Sequence, residues 1–123
     1  MKLALGCDHG GYLLKEEVKK HLDEKGIEYA DFGCHSTESC DYPDMADAPC
    51  KAVTSGECTF ALLFCGTGIG ISIAANKHKG IRAACCSDCF SLDSIKSHSK
   101  MPEIKQPIIS TRCHTSYHCP STI

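Results

Sequence analysis

Cys65-Gly66-Thr67-Gly68-Ile69-Gly70 sets a thiol and a hydroxyl among three alternate glycines, after an apolar run and before a helical stretch. A glycine-rich passage from a strand into a helix exposes backbone N–H groups and the positive end of the helix dipole. That geometry holds an anion or a developing oxyanion. The same dipole favours a thiolate on the cysteine, so the loop can pair a base with an oxyanion hole. The alternative is a tight strand-to-helix turn whose cysteine is a small buried hydrophobe. A second group is Asp8-His9, a carboxylate beside an imidazole, suited to hydrogen-bonding a hydroxylated or phosphorylated ligand or to exchanging protons with it. Such a pair in a loop is otherwise simply solvated.

Three better-known anion loops fail in detail. The phosphate loop of NTPases needs Gly-Lys-Ser/Thr after its glycines, and no such triplet occurs. The dinucleotide fingerprint, begun at Gly66 and Gly68, requires its third glycine at Ile71, which also occupies the place of a cysteine phosphatase's arginine. A zinc reading of Cys86 and Cys89 with His114 and His118, flanked by Cys113 and Cys119, needs a much shorter central span than this chain has. No metal site is expected.

The elements that must position these groups follow from periodicity. Leu3 and Leu5 lie in a short strand over Lys2 to Gly6; Leu14, Val18 and Leu22 then recur at four-residue spacing, an amphipathic helix ended by Gly26. Glu16 stands four before Lys20, the favourable order for an exposed pair. Ile27 to Phe32 reads as a second strand. Ala46, Cys50 and Val53 share one face of a helix that stops at Ser55-Gly56, and Pro49 inside it means that the helix is kinked or begins after Pro49. Thr59 to Phe64 is a continuous apolar run, as for a strand buried on both faces. Ile71 to Lys77 looks helical, Gly80 is its exit, and Ile81 to Cys86 is a fourth strand. After residue 90 helical periodicity fades; Leu92 and Ile95 permit a short helix and Pro107-Ile108-Ile109 a short strand.

Strands alternating with helices in units this short imply an α/β fold with a parallel sheet covered on both faces. Ligands in such sheets bind beyond the carboxyl ends of the strands, where the Asp8-His9 and Cys65 loops converge. Length and composition agree: 123 residues are about one domain, and 42% hydrophobic with 23% charged residues is ordinary for a globular chain. Eleven cysteines would suit a secreted disulfide scaffold, but the N-terminus lacks the apolar run of a signal peptide and an odd number cannot all pair within one chain. Reduced thiols in the cytoplasm are expected. No apolar stretch is long enough to span a membrane. Net charge is −2, with only two arginines, and no basic patch stands in the first ninety residues, so no nucleic-acid partner is expected.

Gly6-Cys7-Asp8-His9-Gly10-Gly11, Asp31-Phe32-Gly33, Asp41-Tyr42-Pro43-Asp44, Cys65 through Lys77 and Gly80-Ile81-Arg82-Ala83 together closely resemble the ribose-5-phosphate isomerase B family. Isomerases of galactose 6-phosphate and allose 6-phosphate are its relatives. Within one sugar-phosphate isomerase-like domain over 1–123, residues 1–91 carry the likeness and 92–123 diverge. The resemblance implies a Rossmann-like three-layer α/β/α fold with a parallel sheet of four to five strands, and a homodimer with active sites between subunits. It also implies a phosphorylated sugar as substrate and no cofactor. In that picture Cys65 is the base that moves a proton between C1 and C2 of the open-chain sugar. The backbone of Gly66, Gly68, Ile69 and Gly70, with the Thr67 hydroxyl, holds the enediolate. Asp8 and His9 bind sugar hydroxyls or phosphate, Tyr42 lines the pocket, and His98 opens the furanose ring.

The departures are specific too. His98-Ser99-Lys100-Met101-Pro102 stands where the family resembles His-Asn-x-Ala-Asn, and Arg112 lacks the glycine of the family's phosphate-binding Gly-x-Arg. Two readings follow: an active isomerase of ribose 5-phosphate and ribulose 5-phosphate, or a catalytically impaired or inactive homologue that binds sugar phosphate without the C-terminal clamp. Lys100 and Lys105 are possible substitutes for that clamp, as point charges.

Overall fold

In a computed structural model the described residues are 2–33, 35, 42–86 and 107–112. They form β1 (Lys2–Cys7), α1 (Tyr12–Lys25), β2 (Glu28–Asp31), α2 (Tyr42–Thr54), β3 (Phe60–Cys65), α3 (Ile69–Asn76), β4 (Arg82–Cys86) and β5 (Pro107–Arg112). All strand pairs are parallel, in the order β2-β1-β3-β5-β4. Of the expected four to five strands, the described residues form five.

The two faces of the sheet carry separate cores. Leu3, Leu5, Cys7, Leu22, Leu62 and Phe64 pack on the α1 side. Ala4, Ala61, Leu63 and Cys65 pack against Ala46, Cys50 and Val53 of α2 and Ile71, Ala74 and Ala75 of α3 on the other. Alternation along β1 and β3 divides their residues between these cores, which is why β3 reads as an unbroken apolar run. The result is the expected three-layer α/β/α arrangement.

Helix α2 runs through Pro49, so it does not begin after that residue. Pro49 cannot donate a hydrogen bond to the Met45 carbonyl, and its ring crowds the preceding turn. Gly6 of β1 makes room at this point: a β-carbon there would lie 2.7 Å from Pro49 Cγ and 2.8 Å from the Met45 oxygen. At the end of α1, Gly26 takes φ 67°, the left-handed conformation of a helix C-cap, and its N–H reaches the carbonyls of Asp23 and Leu22.

Charged groups tie α1 to β2. Lys15 is fully buried, and its Nζ contacts both oxygens of Asp31 at 2.8 and 2.9 Å. Lys19 joins the same carboxylate at 3.0 Å and takes Glu16 at 3.2 Å. In place of the expected Glu16–Lys20 pair, Glu16 meets Lys19, which bridges it to Asp31 at a partly exposed position. On the other face Asp47 of α2 accepts from Lys51 at 2.7 Å and lies 3.1 Å from His78 Nε2, just beyond α3. The Asn76 side chain bonds both the N–H and the carbonyl of Ala83 at 2.8 Å, fastening the end of α3 to edge strand β4.

Candidate active site

Strands β1 and β3 are neighbours, in register from Leu3 with Phe60 to Cys7 with Phe64, so their exit loops emerge side by side. The Asp8 N–H donates to the Phe64 carbonyl at 3.1 Å, joining the loops at their base. Two glycines then let them touch. A β-carbon on Gly11 would lie 2.3 Å from the carbonyl atoms of Phe64, and one on Gly10 would lie 3.1 Å from the Gly66 nitrogen. Asp8, half-buried, accepts the Gly11 N–H at 3.0 Å through Oδ1, while His9 is exposed. The loop that carries both is thus closed on itself by its own aspartate.

Cys65 ends β3 and is 4% exposed. Gly68, at φ 77°, caps α3 and turns its N–H onto Cys65 Sγ at 2.9 Å. A non-glycine residue takes that conformation only with strain. Exposed Thr67 accepts the Ile69 N–H on Oγ1 at 3.3 Å, and the thiol of exposed Cys85 on β4 lies 3.8 Å from the Thr67 carbonyl. Two of the loop's donors are thus engaged inside the chain, one of them on the sulfur. Gly66 is exposed with open space where a β-carbon would stand, and Gly70 lies in the first turn of α3. Beside Cys65, the register of β5 places Arg112.

Asp8, His9, Cys65, Gly66, Thr67, Gly68, Ile69 and Gly70 therefore share the carboxyl edge of the sheet. Tyr42 opens α2. His98 lies outside the described residues, as do Lys100, Lys105 and the Cys89, His114 and His118 of the zinc reading. Among the described residues no three His, Cys, Asp or Glu side chains gather as a metal set, and no helix is long and apolar enough to cross a membrane.

At the β2 end of this edge, burial alone would raise the Asp31 carboxyl, but the Lys15 ammonium, the Gly33 N–H and Lys19 hold it below the usual carboxylate range. The hydrogen bond to Asp31 correspondingly raises Lys19. Away from the edge, burial pushes the Cys50 thiol up to about 12 and Cys58 upward as well.

Sequence reasoning passed over Lys15, Asn76 and Cys85. Lys15 carried a legible signal: it stands seven residues before Leu22, on the same line of the helix, and both are buried. Asn76 and Cys85 act through partners remote in sequence, which no local pattern discloses.

A family model described as Ribose/Galactose Isomerase matches residues 3–104. Ribose-5-phosphate isomerase B of Escherichia coli (strain K12) is 49% identical over 98 residues, covering 80% of this chain and 66% of that protein. A 4-deoxy-4-sulfo-D-erythrose isomerase of Clostridium sp. (strain MSTE9) is 41% identical over 99 residues, covering 79% and 62%. Among solved structures, ribose-5-phosphate isomerase B of Clostridium thermocellum superposes with a TM-score of 0.81 at 44% identity, covering 91% of this chain and 72% of that one. The chain spans about two thirds of the length of the curated relatives it matches.

Proposed function

The chain belongs to the ribose/galactose isomerase family, and we propose that it is a sugar-phosphate isomerase interconverting ribose 5-phosphate and ribulose 5-phosphate through an enediolate. The observation that carries the reading is Cys65 Sγ, 2.9 Å from the Gly68 N–H at the entrance to α3. A sulfur held there is buried, aimed by a backbone donor, and adjacent to the positive end of a helix.

In the proposed reaction His98 assists ring opening. The Cys65 thiolate then takes the proton from C2 of the open-chain aldose, and the C1=O electron pair moves onto oxygen as the C1=C2 bond forms. The Gly66–Gly70 loop stabilises that oxygen through the Thr67 hydroxyl and the N–H groups not taken up by Cys65 and Thr67, the Gly68 N–H staying on the sulfur and the Ile69 N–H on Thr67 Oγ1. Return of the proton from the thiol to C1, with the O2 proton passing to the O1 oxyanion as C2=O forms, yields the ketose and restores the thiolate. Asp8 and His9 bind sugar hydroxyls or phosphate, and Tyr42 lines the pocket. No cofactor enters the scheme.

We read 1–123 as one such domain, cytoplasmic, acting as a homodimer. The exposed Ile69 and Ile73, four apart on α3 and next to the site, support a subunit contact there.

A coupled assay on the purified chain tests the reading: turnover of ribose 5-phosphate that falls by about 100-fold or more in Cys65→Ala agrees with it, and turnover unchanged by that substitution overturns it. The second reading, an impaired or inactive binder, is favoured by the Ser99-Lys100 departure after His98. Calorimetric binding of ribose 5-phosphate without conversion would establish it.

A further inference from the structure

We propose that Lys15 and Asp31 are positioning residues of the site, setting where the Asp8–Gly11 loop presents Asp8 and His9; this rests on the isomerase reading above. Both ends of that loop lead to the Asp31 carboxylate. At its entry, the Phe32 N–H extends the β1–β2 ladder onto the Leu5 carbonyl at 2.8 Å, and the Gly33 carbonyl takes the Cys7 N–H at 2.8 Å, one residue before Asp8. Gly33 in turn donates its N–H to Asp31 Oδ1 at 3.0 Å. At its exit, Gly11 receives the Lys15 N–H at 3.0 Å, and the Lys15 side chain returns to both Asp31 oxygens.

Apolar packing would hold α1 on the sheet as firmly, because a buried ion pair must first repay the desolvation of both charges. What apolar packing lacks is direction. Hydrophobic contact leaves a helix free to slide and rotate by small amounts, whereas an ammonium seated on two carboxylate oxygens fixes its distance and azimuth. Lys15 lies in the first turn after the loop, so the position of α1 along its axis is the position of Gly11, and Gly11 is hydrogen-bonded to Asp8. Lys19 and Glu16 complete the cluster from the exposed side and balance its charge.

The test compares Asp31→Asn, which keeps the volume, with Lys15→Met and with the double variant Lys15→Met/Asp31→Leu, which replaces the pair by apolar groups. Melting temperature, kcat and KM for ribose 5-phosphate, and hydrogen exchange at the Gly11 amide are measured on each. For Asp31→Asn we expect KM to rise about tenfold with kcat changed by less than about threefold, and Gly11 exchange to quicken about tenfold. The double variant is expected to recover the wild-type melting temperature while KM stays high and Gly11 exchange stays fast. Recovery of all three in the double variant overturns the proposal and leaves the pair a fold element. If any of these variants fails to fold, Lys19→Met, at a partly exposed position, decides: Gly11 exchange about two- to threefold faster supports the proposal, and unchanged exchange overturns it. If the wild type neither binds nor converts ribose 5-phosphate, the isomerase reading fails by itself, and Gly11 exchange still decides whether the pair holds the loop.

Discussion

Gly10 and Gly66 meet where the β1 and β3 loops cross: a β-carbon on Gly10 would stand 3.1 Å from the Gly66 nitrogen and 3.3 Å from its α-carbon. The loop carrying Asp8 and His9 is thereby fitted directly against the loop carrying Cys65. Gly10→Ala must push Gly66 aside by a few tenths of an ångström, next to the proposed base. Its expected effect is a drop in kcat/KM of about tenfold or more with little change in thermal stability. Gly11→Ala is different, since its β-carbon would lie 2.3 Å from the Phe64 carbonyl. That backbone cannot yield, and a loss of about 3 kcal/mol in urea unfolding is expected.

Gly66 itself has no such constraint. It is exposed, its φ is not positive, and nothing stands within 4 Å of an added β-carbon. Gly66→Ala should therefore fold as well as the wild type, with a gain of up to about 1 kcal/mol from the less flexible unfolded chain. On the isomerase proposal, turnover of ribose 5-phosphate should nonetheless fall, because the new methyl would occupy open space next to Cys65 in the chain. A stable variant with full turnover would show that a ligand does not use this space.

Stability should fall on both sides of neutrality, for separate reasons. Asp31 titrates below its ordinary range in the fold, so its contribution is present above the unfolded value of about 3.9 and is lost as pH falls through the lower folded value. Cys50 titrates upward, to about 12. Its thiol stays neutral in the fold but ionises in the unfolded chain near about 8.5, so stability declines as pH rises from there toward the folded value. Urea midpoints measured from pH 3 to 11 test both limbs. Cys50→Ala should flatten the alkaline limb and leave the acid limb as it was; an unaltered alkaline slope would refute the assignment.

Gly6 and Pro49 should be coupled energetically. A β-carbon at Gly6 would meet Pro49 Cγ at 2.7 Å, the Met45 carbonyl oxygen at 2.8 Å and Leu63 Cδ2 at 3.1 Å. Gly6→Ala is expected to cost about 2–3 kcal/mol. In a Pro49→Ala background the ring is gone and a backbone N–H faces the Met45 carbonyl again, so the same change should cost about 1 kcal/mol less. Strict additivity in a double-mutant cycle would mean that the two elements do not share this contact.

The sequence was most legible where one residue type answers to one local requirement. Gly26 marked a helix end because it takes a conformation that favours glycine, whereas α3 starts at Ile69, after left-handed Gly68, two residues before the expected Ile71. The apolar run from Phe60 announced a doubly buried strand, and Ala46, Cys50 and Val53 all reached zero exposure on the predicted face. Legibility failed where a partner distant in sequence decides. Lys15 shares the helix line of Leu22, but no local pattern shows what holds its charge there; Asp31, sixteen residues on, does so with both oxygens. Pro49 left the start of α2 open, since the room it needs comes from Gly6 on another element. The loops of the site were found because glycines and reactive groups cluster within each of them; their contact through Gly10 and Gly66 needed the register of β1 with β3.

The strand order has a consequence for how the chain acquires its shape during synthesis. β4 makes its ladder, among the described residues, with β5 alone, and β5 is the strand that joins it to β3. As the chain emerges, β1, β2 and β3 can pair as soon as residue 65 is available. β4, although made next, has no neighbour in the sheet until residues 107–112 arrive and slot between it and β3. For that interval Asn76, bonded to both backbone groups of Ala83, and the Cys85 thiol at the Thr67 carbonyl help tether it to the finished half. The β4 side of the sheet is thus the part whose assembly waits on distant chain, and the Cys65 loop acquires its β5 neighbour only when that late strand closes.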